Sequence, residues 1–251
     1  MTYTAAVSQS SWFFASRDDW RASHVVLDED ETHHALRVLR LAPGAPMIVS
    51  DGAGTVAQCS IGEVVDGRLI AEIEDKRRHT RPRPELMIYQ AASKGHKIDE
   101  ITDACGQLGV TSLCVFETSR TLVRWNQDKR QRLADRWEAI ARSAAKQSRD
   151  PFVVETGPPT SWSEMLENIA RQSFAVMLWE RSTTPLREVL PAAADRIALI
   201  VGPEGGFSAD EAADLDTAGA RQASLGPLIL RTEMAPVVAC SVVLWQYGLI
   251  G

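Results

Sequence analysis

The chain reads as an α/β protein in two parts: a small N-terminal β-barrel, then a mostly parallel sheet covered by helices. Three observations predict this. Tight-turn dipeptides, Asp51-Gly52 and Asp66-Gly67, separate short apolar runs in the first third of the chain. From residue 85 onward, apolar runs alternate with helical stretches, the rhythm of a crossover sheet. Glycines and prolines then gather where strands would end, at Gly202–Gly206 and at Leu225-Gly226-Pro227. In such sheets ligands sit at the carboxyl ends of strands.

The elements follow in order. Residues 1–80 contain strand-like runs at Met47–Val49, Val56–Ile61, Val64-Val65 and Leu69–Ile73, preceded by a helical stretch over Asp30–Leu41. Lys76–Pro84, which reads KRRHTRPRP, is polar and broken by proline, and is expected to link two domains. Residues 81–251 carry strands at Leu86–Ala91, Leu113–Phe116, Phe174–Leu178 and Ile197–Val201. Helices are expected near 97–109, 128–147, 161–171 and 208–219, with a last one from Met234 toward Gly251. That last segment has no formal charge, but it is short for a bilayer and holds Pro236, Ser241 and Gln246, so it reads as a core or interface helix rather than a tail anchor.

At 251 residues, 45% hydrophobic and 24% charged, the chain can bury a sizeable core and is not a disordered sequence. The net charge of −6 excludes a uniformly basic nucleic-acid coat. Charge is uneven, however: Lys76–Arg149 holds 16 basic and 8 acidic residues, leaving −14 for the rest. A local cationic face on an acidic protein is therefore available, either as a solvated surface or as a grip on a polyanion. Cys59, Cys105, Cys114 and Cys240 form no CxxC pair, so neither a zinc site nor a disulfide framework is expected. His33-His34 is read as packing or solvent-facing, and no metal is expected. No signal peptide is evident at the start, and the expected location is cytoplasmic.

Two stretches carry the most chemical information. In Leu199–Glu211 a buried strand runs into Gly202-Pro203-Glu204-Gly205-Gly206, then Ser208 and Glu211 offer a capping box. This is either a well-capped strand-to-helix turn or a loop whose glycines let backbone groups approach a ligand. It matches neither the Walker loop nor the dinucleotide fingerprint. In Ser224–Ala235 an apolar turn delivers Arg231 to the start of the last helix, with Thr232 as the expected cap. Arg231 is either paired with Glu233 or free to act, and two such loops at neighbouring strand ends favour a cleft.

The motifs His33…Leu36-Arg37-Val38-Leu39-Arg40 with Gly44 and Asp51-Gly52, Lys94-Gly95, Gln147-Ser148-Arg149, GPEGGFSADE over 202–211 and LGPLILRTE over 225–233 occur in one order along nearly the whole chain. In this the sequence resembles the RsmE family of 16S rRNA uracil-N3 methyltransferases, of the SPOUT class. The resemblance implies a PUA-like, RNA-binding β-barrel over 1–80 and a SPOUT methyltransferase domain with a deep trefoil knot over 81–251. It implies S-adenosyl-L-methionine as cofactor, held by Leu178, Trp179, Gly202, Pro203, Glu204, Gly205, Gly206, Leu225, Gly226, Leu228, Ile229 and Leu230. Arg231 and Glu204 are the expected catalytic pair, one stabilising an anion and the other orienting the site or accepting a proton. Arg37, Arg40, Arg77, Arg78, Lys94 and Arg149 are the expected RNA contacts. The implied partners are 16S rRNA in the 30S ribosomal subunit and a second copy of the chain in a homodimer. Leu228 and Met234 stand where many relatives carry Arg and Thr, and Lys146 where they carry Glu. These departures leave a non-catalytic RNA-binding protein of the same fold as the alternative.

Overall fold

The computed structural model describes residues 10–118 and 125–251, which divide into two compact units. One takes in the chain up to Arg81 together with Ala145–Val153; the other comprises Pro82–Ala144 and Val154–Gly251.

In the first unit the strands are β1 (Ser11–Phe14), β2 (His24–Val26), β3 (Pro46–Ser50), β4 (Thr55–Val65) and β5 (Arg68–Arg78), with helix α1 (Glu29–His33) between β2 and β3. They form one five-stranded sheet in the order β1-β3-β4-β5-β2; β1 runs parallel to β3 and the other pairs are antiparallel. The two runs expected at Val56–Ile61 and Val64-Val65 are a single strand, because register shifts at Gln58/Cys59 and Ile61/Val64 bend it without ending it. The expected linker starts later than its composition suggests. Lys76, Arg77 and Arg78 pair with Ala57, Val56 and Thr55, since the ladder needs only their backbone and their charged heads face water. Phe13, Val25, Leu27, Met47, Val49 and Leu69 build the core. The stretch expected as one helix over Asp30–Leu41 divides: after α1, His34–Val38 widens into a π turn in which Leu39 N–H donates to His34 C=O at 2.9 Å. His34 meets the Phe13 ring edge-on. Lys146 forms an ion pair with the buried Glu31 carboxylate, so this departure from the family pattern has a partner.

The second unit comprises β6 (Glu85–Ala91), α2 (Lys97–Gln107), β7 (Ser112–Phe116), most of α3 (Gln127–Ser148), β8 (Glu155–Thr156), α4 (Trp162–Ala170), β9 (Ala175–Leu178), α5 (Leu186–Val189), β10 (Arg196–Val201), α6 (Ala209–Thr217), β11 (Ala220–Ala223) and α7 (Met234–Gln246). The sheet order is β11-β9-β10-β6-β7-β8, and every pairing is parallel. Helices cover both faces, which is why β9 and β10 read as unbroken apolar runs. Gly106 of α2 lies so close to α3 that a Cβ there would stand 2.5 Å from the Cβ of Ala144. The uncharged C-terminal segment is not helical throughout. At Gly248 (φ +68°) the chain turns left-handed, and Leu249 N–H caps Leu244 C=O at 2.8 Å. Among the described residues no helix is long and apolar enough to cross a membrane. The four cysteines are free; burial pushes the Cys59 and Cys240 thiols up to about 12.

Candidate active site

Four neighbouring strands, β11, β9, β10 and β6, point their carboxyl ends the same way. The segments that follow β9, β10 and β11 line one cleft of about 860 Å³, with Lys97 of α2 on its wall. Every cofactor-contact candidate named from sequence lies on this lining: Leu178 and Trp179 after β9, Gly202–Gly206 after β10, and Leu225, Gly226, Leu228, Ile229 and Leu230 after β11. Arg231 lies there as well. Glu180, from the Leu178-Trp179-Glu180 turn expected to hold the cofactor, lines it too, and Lys97, Ser224 and Thr232 join them although the sequence reading did not name these three as cofactor contacts.

The turn after β10 is braced from within. Gly206 N–H donates to Pro203 C=O at 2.9 Å, Phe207 is buried, and the expected capping box forms between Ser208 and Glu211. Gly206 holds φ +66°, and a Cβ there would stand 2.8 Å from the Glu180 carboxylate. Only a glycine gives that oxygen such access to the backbone. The loop after β11 is different. Ser224 Oγ accepts from Gly226 N–H at 3.2 Å, but among the described residues no hydrogen bond engages the main-chain N–H groups of Leu228, Ile229 and Leu230. The side chains of Leu228 and Ile229 are 78% and 87% exposed.

Thr232 stitches the two loops together. It is not the helix cap expected from sequence; Glu233 holds that position and makes no capping bond. Instead Thr232 Oγ1 donates to Gly202 C=O at 3.0 Å and accepts from the buried Gln90 amide at 3.0 Å. A competing partner from β6, 142 residues away in sequence, thus claims the hydroxyl.

Charge in the cleft centres on Lys97. Its Nζ lies 3.1 Å from Glu204 Oε1 and 3.5 Å from Glu233 Oε2. The hydrogen bond to Glu204 raises the Lys97 pKa above its ordinary value. Partial burial alone would raise Glu204, but hydrogen bonds from its own N–H, from Lys97 and from Lys94 N–H outweigh it and hold the carboxyl below the usual range. Arg231 projects from the lip, 84% exposed, with its guanidinium 4.0 Å from Glu233 Oε1. Trp179 lines the cleft, and its buried indole N–H has no hydrogen-bond partner among the described residues.

The six RNA-contact candidates are divided between the two units. Lys94 belongs to the second unit, beside Glu204; Arg37, Arg40, Arg77, Arg78 and Arg149 belong to the first, and all are exposed. Arg77 pairs with Asp75 at 2.8 Å, and Arg78 donates to Thr55 Oγ1 at 2.7 Å and to Asp51 at 3.4 Å. Among the described residues no group of three or more His, Cys, Asp or Glu side chains is placed to hold a metal ion.

A parallel sheet whose strand ends carry such a cleft, on a chain that two RNA methyltransferase family models match in its two parts, defines the class: a two-domain RNA methyltransferase. A family model described as an RNA methyltransferase domain matches residues 80–244, and one described as an RNA methyltransferase PUA domain matches 27–74. The ribosomal RNA small subunit methyltransferase E of Mycobacterium bovis is 32% identical over 224 residues, 87% of this chain and 85% of that protein. A Legionella pneumophila protein solved with its bound cofactor SAM superposes with a TM-score of 0.85 at 25% identity, over 94% of this chain and 98% of that one. The Neisseria gonorrhoeae ribosomal RNA small subunit methyltransferase E, solved bound to S-adenosyl methionine, gives 0.84 at 24% identity, over 94% and 98%. The chain belongs to the RsmE family of ribosomal RNA small subunit methyltransferases.

Proposed function

We propose that the cleft binds S-adenosyl-L-methionine and that the enzyme methylates N3 of a specific uridine in 16S rRNA of the small ribosomal subunit. The observation that carries this reading is the convergence of the three strand-end segments on one cleft. The lining fits the cofactor: the main-chain donors at Leu228–Leu230, unengaged among the described residues, suit an adenine or carboxylate acceptor, and apolar side chains suit the thioalkyl part. The cofactor, when bound, supplies an electrophilic methyl group.

The protein's own task is alignment and charge. Uracil N3 carries a proton and attacks only as that proton leaves, so a cation beside the ring lowers the barrier by stabilising the imide anion. Arg231 fills this role: it is exposed at the lip, with Glu233 only at the edge of ion-pair range. Glu204, ionised and held by Lys97, serves as the orienting carboxylate that fixes the glycine turn. N3 lies on the Watson–Crick edge, so the target base is unpaired or swung out when it reacts.

Residues 1–80, as the PUA-like domain, contribute RNA positioning through Arg37, Arg40, Arg77 and Arg78; residues 81–251 are the catalytic SPOUT domain, carrying the trefoil knot, Lys94 and Arg149, the last of which packs with the first compact unit. A homodimer covers the exposed Leu228 and Ile229 and the apolar side chains of Met234 and Trp245. The substrate places the enzyme in the cytoplasm with the 30S subunit.

The test is calorimetry with S-adenosyl-L-methionine, followed by methylation of undermodified 30S subunits and mass spectrometry of the rRNA. Binding and one added methyl on a uridine base are expected; a folded protein that does not bind sinks the reading and leaves the non-catalytic alternative. Arg231→Ala keeps cofactor affinity and loses turnover by about a hundredfold or more, the scale of removing one anion-stabilising donor.

A further inference from the structure

The position of Lys97 has a consequence for Arg231, and it rests on the methyl-transfer reading above. Glu233 stands between two cations, with Lys97 Nζ at 3.5 Å from one oxygen and Arg231 at 4.0 Å from the other. Its side chain is only 14% exposed, whereas that of Arg231 is 84% exposed. A largely buried carboxylate that loses its cation takes another, because an unpaired buried charge is far costlier than a pair. Among the described residues the other cation within ion-pair range of Glu233 is Arg231. Lys97 also holds Glu204 at 3.1 Å, so a single ammonium answers one acid from each of the two loops.

We infer that Lys97 is a positioning residue: by neutralising Glu233 it keeps the Arg231 guanidinium uncommitted and available to the substrate. Without Lys97, Glu233 draws Arg231 back over the loop, and the group that stabilises the uracil anion is withdrawn from the lip. The Lys97–Glu204 pair is partly exposed, at 31% and 42%, and adds little to fold stability. The effect of these contacts is on which acid holds which base.

The experiment compares wild type, Lys97→Met, Lys97→Arg and Lys97→Met with Glu233→Gln, using S-adenosyl-L-methionine and undermodified 30S subunits. Lys97→Met is expected to lower kcat at least about tenfold while KM for the cofactor moves less than about threefold, the pattern of an interaction used in the transition state. Lys97→Arg retains most of the rate, and adding Glu233→Gln to Lys97→Met restores most of it. A double variant no faster than Lys97→Met, or Lys97→Arg as slow as Lys97→Met, overturns the inference. A second readout needs no RNA: the Arg231 Nε–H resonance is expected to shift in Lys97→Met and to return in the double variant. Its failure to move in Lys97→Met also overturns the proposal. Lys97→Gln replaces the Met variant if that one does not fold. A wild-type enzyme that methylates nothing points instead to failure of the functional reading, while the resonance still judges the role of Lys97.

Discussion

The two loops of the cleft solve the same problem by different means. The turn after β10 carries its own braces: a backbone bond inside the turn, a buried phenylalanine behind it and a capping box that starts α6 at once. The loop after β11 has few. It is anchored at Ser224 and at Thr232, and between them it exposes two large apolar side chains and leaves three main-chain donors unengaged among the described residues. The difference teaches that a local bond network shapes one wall, while the other is held at its two ends and left open between them.

Cutting the shared stitch gives the largest expected effect. Thr232→Ala removes one of the two acceptors of the buried Gln90 amide, leaving only Ala91 C=O, and cuts the bond to Gly202 C=O, at a cost of about 1–3 kcal/mol. Thermal melting should fall by several degrees, and Thr232→Ser should restore it. A melting point equal to wild type would show that the loop after β11 needs no link to its neighbour. Next comes Gly206→Ala, which forces an L-residue to φ +66° for about 1–2 kcal/mol and displaces Glu180. Thermal melting should fall by a few degrees, and calorimetry should show weaker cofactor binding because the displaced Glu180 reshapes the cleft wall. Leu228→Asp with Ile229→Asp should change stability by less than about 0.5 kcal/mol, because both side chains lie in solvent. Light scattering should nevertheless show a shift from dimer to monomer; an unchanged mass would remove these residues from the interface.

The smallest effect sharpens the electrostatic side. Glu204 is held below the ordinary carboxylate range, so its pair with Lys97 contributes fully above the unfolded value of about 4.3 and is lost as pH falls through the lower folded value. The melting-point gap between wild type and Glu204→Gln should therefore stay constant from about pH 8 to 5 and close only below the ordinary range. A gap that closes near neutrality would contradict the pairing.

What could be read from the sequence follows the range of the forces involved. The apolar strands β6, β9 and β10, the capping box at Ser208 and the glycine turn are local patterns, and all were legible. β11 was not, because Ala220–Ala223 lacks β-branched and aromatic residues and becomes a strand only by pairing with β9. The extent of β5 was hidden by Lys76, Arg77 and Arg78, whose charges suggested a linker although the backbone ladder tolerates them. Within the site, the residues that line the cleft could be named because glycine and proline mark strand ends. Gln90 and Lys97 could not, since each acquires its part only when a partner more than a hundred residues away arrives. Thr232 was misplaced as a helix cap for the same reason.

The close approach of Gly106 to Ala144 makes α2 a lever. Lys97 sits nine residues from Gly106 along that helix, about 14 Å at the usual rise per residue. A single added methyl at Gly106 must tilt or slide the helix, because the 2.5 Å gap to Ala144 offers no slack. The displacement would reach the ammonium that balances both acidic loops, so an inactivating or temperature-sensitive lesion can arise at a residue that no substrate ever touches.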